Sequence, residues 1–118
     1  MDSSDAEALE RVFRPLNTRM VVYGHIHRPF IRELSDFRVC NSGSVGMPYD
    51  GDPRASYLLL TDGRPEIRRV EYDAEAENKR LLASDYPYKE WFAEVRTRGA
   101  YVAPPLSQDS GLMIQCKD

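Results

Sequence analysis

His25 and His27 are the only histidines in the chain, and they stand two apart in Gly24-His25-Ile26-His27. In extended backbone, residues two apart project to the same side about 7 Å apart at Cα, so this spacing predicts that both imidazoles face one site while Ile26 turns away into packing. That separation suits two metal ions about 3.5–4 Å apart, one imidazole on each. Gly24 lets the backbone bend where a strand would end, which is where open α/β sheets place their ligands. Two imidazoles do not complete a site of four or more donors, so the pair needs ligands from elsewhere.

The other chemistry-bearing residues each have a functional and a structural reading. Arg28, beside His27, can meet a phosphate with its fork of donors or serve as a solvated or paired surface arginine. Asn41, Gly43 and Ser44 can bring small side chains and backbone amides near a substrate, although a tight turn between strands is the stronger expectation for 41–46. For Asp50, Asp52 and Arg54 the expectation is a Gly-Pro turn held by an Asp and Arg pair rather than substrate contact. Cys40 reads as a small buried strand residue. A mononuclear zinc site using His25, His27, Cys40 and Cys116 lacks the usual ligand spacing.

The elements that must position these groups follow from periodicity. Ser4-Asp5-Ala6-Glu7 has capping-box spacing, and Leu9, Val12, Phe13 and Leu16 recur at helical intervals, predicting an amphipathic helix that stops near Pro15. Met20-Val21-Val22-Tyr23 is a short apolar run with no polar face, the pattern of a strand covered on both sides. Phe30–Leu34 and Phe37–Asn41 read as a hairpin turning at Ser35-Asp36, and Ser56–Leu60 with Glu66–Tyr72 as a second, turning at Thr61-Asp62-Gly63. Asp73 is placed to cap a helix over 74–83. Asp85 or Tyr86 is expected to cap a third helix with Pro87 in its first turn, Tyr88, Trp91, Phe92 and Val95 on its buried side, and Gly99 at its end. Residues 100–118 read as an irregular tail in which Leu112-Met113-Ile114 can dock as an edge strand.

Composition narrows the function classes. The 118 residues are 42% hydrophobic and 30% charged, ordinary for one soluble domain. With 16 basic against 19 acidic residues the net charge is −3, so no basic field holds nucleic acid as a scaffold or anionic lipid. No apolar run approaches the roughly 20 residues that span a bilayer, and the opening residues lack signal-peptide regions; a cytoplasmic protein is expected. Two distant cysteines suggest reduced thiols.

Gly24-His25-Ile26-His27-Arg28-Pro29-Phe30, followed by the run from Asn41-Ser42-Gly43-Ser44-Val45-Gly46-Met47-Pro48-Tyr49 to Tyr57, resembles the C-terminal half of a calcineurin-like metallophosphoesterase of the small bacterial phosphatase and phosphodiesterase branch. The resemblance covers residues 4 to about 98. It implies an α/β fold, half of a four-layer α-β-β-α sandwich, over residues 1–99, with a two-metal centre at one end. It also implies that His25 binds one metal and His27 the other. The family's remaining ligands come from upstream motifs (Asp-x-His, Gly-Asp, Gly-Asn-His-Asp or -Glu, and an isolated His), and none precedes His25 here. No catalytic residue is therefore assigned to this chain, and the metal is Mn, Fe, Zn or Ni, the ions suited to imidazole, carboxylate and amide donors.

The expected substrate is a phosphate monoester or diester. The chain is expected to be a fragment, half of a split enzyme or a non-catalytic remnant, with a protein-binding scaffold of the same fold as the alternative function. Its expected partners are a missing N-terminal half or a second copy of itself, because a central strand without its neighbours leaves an open edge and a bare apolar face.

Overall fold

A computed structural model describes residues 5–105. Among them the order is α1 (Ala6–Phe13), a 3₁₀ turn (Arg14–Leu16), β1 (Met20–Tyr23), β2 (Phe30–Glu33), β3 (Arg38–Asn41), β4 (Ala55–Thr61), β5 (Arg64–Val70), α2 (Ala74–Leu82) and α3 (Lys89–Arg98). The helices, strands and hairpins predicted within these residues are present. No helix among these residues is long and apolar enough to cross a membrane.

Helix α1 is capped by Asp5, whose carboxylate accepts from the Glu7 amide at 3.0 Å, one residue beyond the expected Ser4, which lies outside the described residues. Pro15 lacks an amide hydrogen, and the chain tightens to 3₁₀ before reversing at Asn17, which has a left-handed φ of 48°. Only part of the expected apolar stripe is covered. Leu9 is buried and Phe13 packs against the core, but Val12 and Leu16 are each 60% exposed, and the proline turn after Phe13 carries Leu16 off the helical face.

β3 is the centre of a three-stranded sheet of order β1-β3-β2, parallel to β1 and antiparallel to β2, with Val21 opposite Val39 and Ile31 opposite Cys40. Val21 and Val39 on one face join Leu9 and Phe37 in the core, with Phe13, Tyr23, Phe30 and Leu34 around them. On the other face Cys40 is fully buried while its register partners Val22 and Ile31 remain 47% and 38% exposed. β1 therefore has one covered and one half-bare side, and its outer edge carries no partner strand among the described residues. That is the uncovered arrangement expected of an interior strand standing without its neighbours.

β4 and β5 form a separate two-stranded sheet, closed by Asp62 and Gly63 with φ of 50° and 74°, the paired positive φ values of a type I′ turn. Asp73 caps α2 as expected, accepting from the Ala76 amide at 2.9 Å. α3 departs from expectation at its start. It begins at Lys89 after a left-handed Tyr88, with neither Asp85 nor Tyr86 as cap, because Pro87-Tyr88 form a turn rather than a first helical turn. Its buried residues are Ala93 and Val95; Trp91 and Phe92 are half-buried, and Tyr88 is exposed. Gly99 ends the helix in left-handed conformation, its amide bonding to Val95 O at 2.9 Å. Residues 100–105 are irregular, and the Leu112–Ile114 edge strand and Cys116 lie outside the described residues.

Candidate metal centre

The histidine pair sits on a loop between β1 and β2, and that loop is not extended. β1 stops at Tyr23, and both His25 and His27 have positive φ, 76° and 56°. The Ile26 amide bonds back to Gly24 O at 3.0 Å, which makes His25 the centre of a three-residue turn of the rare positive-φ kind. This corrects the strand-spacing argument: a period of two does not orient these imidazoles, because the backbone has left β geometry before His25. Two non-glycine residues held in the left-handed region within three positions store strain of the kind that clusters at functional sites.

The strain is held by neighbours. Asn41, fully buried at the end of β3 and directly across from Tyr23, donates from Nδ2 to Gly24 O at 2.9 Å and accepts at Oδ1 from the Gly43 amide at 2.9 Å. A further hydrogen bond links it to Tyr23, partly offsetting the upward push that burial gives the Tyr23 phenol. Gly43 then turns with φ of 74° so close to β4 that a Cβ there would lie 2.7 Å from Ser56 Oγ. Ser56, itself buried, donates from its hydroxyl to Ser42 O at 2.8 Å and from its amide to Ser44 O at 3.0 Å. Residues 41–44 are thus bonded on one side to the histidine loop and on the other to β4.

His27 is half-buried and engaged on several sides. Its Nδ1 lies 2.9 Å from Met47 O. A carbonyl only accepts, so Nδ1 is the donor in this contact, and in the neutral ring Nε2 then keeps its lone pair. Its own carbonyl accepts the Tyr49 amide at 3.0 Å, and the Tyr49 ring lies 4.7 Å from the imidazole, with Tyr101 edge-on to Tyr49 at 5.6 Å. His25 and Arg28 are exposed, and Arg28 enters none of these bonds.

Among the other candidates, Asp52 pairs with Arg54 at 2.6 Å, and Arg69 reaches Asp50 from β5. The expected Asp and Arg pair therefore holds this turn, and the Arg54 hydrogen bond brings the Asp52 carboxyl down to about 2. Cys40 is wholly buried, and that burial pushes its thiol up, away from the thiolate that zinc requires. Among the described residues no group of three or more His, Cys, Asp or Glu is placed to hold a metal ion. Reading the sequence missed Met47 and Tyr49 as partners of His27. The contact of Met47 is made by its backbone carbonyl, to which its side chain is no guide.

Comparison with known proteins agrees with this architecture. Residues 2–63 match the family model of the calcineurin-like phosphoesterase superfamily domain. An uncharacterized protein of Methanocaldococcus jannaschii is 32% identical over 92 residues, covering 64% of this chain and 37% of that protein. A probable metallophosphoesterase of Methanothermobacter thermautotrophicus is 36% identical over 56 residues, covering 48% and 33%. The crystal structure of a metallophosphoesterase from Sphaerobacter thermophilus superposes with a TM-score of 0.68 at 23% identity, over 82% of this chain and 49% of that one. That of a hypothetical protein from Pyrococcus horikoshii gives 0.71 at 20% identity, over 85% and 40%. The chain spans 37% and 33% of the lengths of the two curated relatives and under half of the two solved structures. Since the family match runs from before α1 to the β4–β5 turn, over half of the sequence, the chain belongs to the calcineurin-like phosphoesterase superfamily.

Proposed function

We propose that this chain is the C-terminal portion of a binuclear metal-dependent phosphoesterase that hydrolyses phosphate monoesters or diesters. His25 and His27 are its contribution to the metal centre, one to each ion, and the chain is inactive without the rest of the domain. Metallophosphoesterases bind divalent metals, and the observation that carries this reading is the state of His27. Its Nδ1–H is committed to Met47 O, leaving Nε2 as a donor, the arrangement in which imidazole ligands are usually held. The residues present fit a metal as two donors of a larger set. Asp50 and Asp52 are engaged by arginines, so the remaining ligands come from outside the described residues.

Divalent ions, Mn, Fe, Zn or Ni by donor type, supply Lewis acidity toward water and phosphoryl oxygens. This chain's part is to hold two imidazoles at fixed positions, with Asn41, Gly43 and Ser44 buttressing the loop that carries them. Arg28, exposed next to His27, offers a guanidinium fork to a phosphate. The half-bare face of β1 supports a partner that completes the domain, and the same bare face keeps a protein-binding scaffold as the alternative.

The test is to co-produce the chain with the upstream part of its domain and assay bis(p-nitrophenyl) phosphate and p-nitrophenyl phosphate. Turnover that requires divalent metal and is abolished by His25→Ala or His27→Ala is expected. A metal-free complex without turnover would favour the scaffold.

A further inference from the structure

Met47 is fixed at both of its backbone polar groups. Its amide donates to Ser44 Oγ at 3.0 Å, and its carbonyl accepts from His27 Nδ1 at 2.9 Å. Ser44 is itself anchored, its carbonyl receiving the Ser56 amide from β4 at 3.0 Å. Between the two, Val45 is 67% exposed, and a Cβ added at Gly46 would meet nothing within 4 Å. With Val45 this open, the Ser44 hydroxyl is the hydrogen-bond anchor of the chain N-terminal to Met47, while fully buried Pro48 anchors the other side. One serine therefore connects β4 to the protonated face of the His27 ring in three hydrogen bonds.

We propose that Ser44 is a positioning residue for the metal centre. Through Met47 it holds His27 in the Nδ1–H tautomer and so presents Nε2 for ligation. The proposal rests on the reading of His27 as a ligand, but its first consequence needs no metal. Without the hydroxyl the Met47 carbonyl is free to swing off Nδ1, and neutral imidazole then divides between its two tautomers.

The experiment records long-range ¹H–¹⁵N correlations of the histidine rings in the 118-residue chain, about two units above the ordinary imidazole pKa of about 6.5. Wild type, Ser44→Ala, Ser44→Thr and, as a control for lost stability, Thr97→Ala are compared. Thr97 gives up a 2.8 Å hydroxyl bond to Ala93 O on α3, away from the loop. Wild-type His27 is expected to show a lone-pair Nε2, Ser44→Ala to move that nitrogen toward the protonated position, and Ser44→Thr and Thr97→Ala to leave it in place. When the chain is co-produced with the upstream part of its domain, adding Zn²⁺ alone is expected to shift His27 Nε2 in wild type, with the apparent affinity falling about tenfold in Ser44→Ala and returning in Ser44→Thr. An unchanged tautomer in Ser44→Ala, or the same change in Thr97→Ala, overturns the proposal. A tautomer that responds as expected while Zn²⁺ leaves wild-type Nε2 untouched in that completed domain overturns it at the other end, by removing His27 as a ligand and with it the proposed function.

Discussion

The side-chain amide of Asn41, at the end of β3, donates a 2.9 Å hydrogen bond to the carbonyl of Gly24, the residue that follows the parallel neighbour β1. The same carbonyl accepts the Ile26 amide at 3.0 Å and so closes the turn on which His25 rides. Replacing Asn41 by Ala leaves the part-buried Gly43 amide without its acceptor and removes the brace on the His25 turn. Loss of about 2–3 kcal/mol is expected, since a deserted buried polar group costs about 1–3 kcal/mol and a cavity is added. Chemical denaturation of the two proteins measures it. Asn41→Asp keeps the acceptor for Gly43 but turns an oxygen on Gly24 O, so it is expected to lose nearly as much.

Gly43 and Gly63 form a matched pair. Both have φ of 74°, but a Cβ at Gly43 would lie 2.7 Å from Ser56 Oγ and one at Gly63 would meet nothing within 4 Å. Gly63→Ala should therefore cost only the left-handed penalty, about 1–2 kcal/mol. Gly43→Ala adds overpacking of about 1–3 kcal/mol, and thermal unfolding should rank the two accordingly. Equal losses would mean that the approach of residues 42–44 to β4 is looser than described.

Acid stability should depend on the Asp52–Arg54 pair. The Arg54 hydrogen bond holds the Asp52 carboxyl at about 2, below its unfolded value of about 3.9. A carboxylate depressed in the folded state contributes stability that is present above the unfolded value and fades as pH falls through the folded one. Arg54→Gln is expected to raise the Asp52 titration, followed by carboxyl ¹³C shifts, and to flatten the loss of stability between about pH 4 and 2.

Self-association should follow from β1. Its outer edge is unpaired among the described residues, and Val22 and Ile31 leave apolar surface exposed beside fully buried Cys40. The chain alone is expected to sediment as a dimer or larger species, and Val22→Glu to shift it toward monomer by placing charge on that face. Wild-type monomer at high concentration would contradict this.

Much of the fold is legible in the sequence because its elements are carried by local signals. Ser35-Asp36 and Asp62-Gly63 mark the two hairpins, Asp73 the start of α2 and Gly99 the end of α3. The departures occur where a local rule meets a longer-range arrangement. Val12 and Leu16 have helical spacing, but the surface they would cover is not supplied by three strands. Pro87 suits a first helical turn, but Tyr88 adopts a left-handed conformation instead. The histidine pair is visible as residue types and not as geometry, since the backbone leaves β form at Gly24 under a brace from Asn41, seventeen residues on. The contact that fixes the His27 ring is to a main-chain oxygen, which every residue type possesses equally.

The most direct test of two imidazoles serving two ions is the metal content of the complete protein, determined by elemental analysis after exhaustive dialysis against Mn²⁺ or Zn²⁺. About two ions per domain are expected in wild type, with a loss of about one in either His25→Ala or His27→Ala. Full retention of both ions in the double variant, with the protein still folded by circular dichroism, would contradict the assignment.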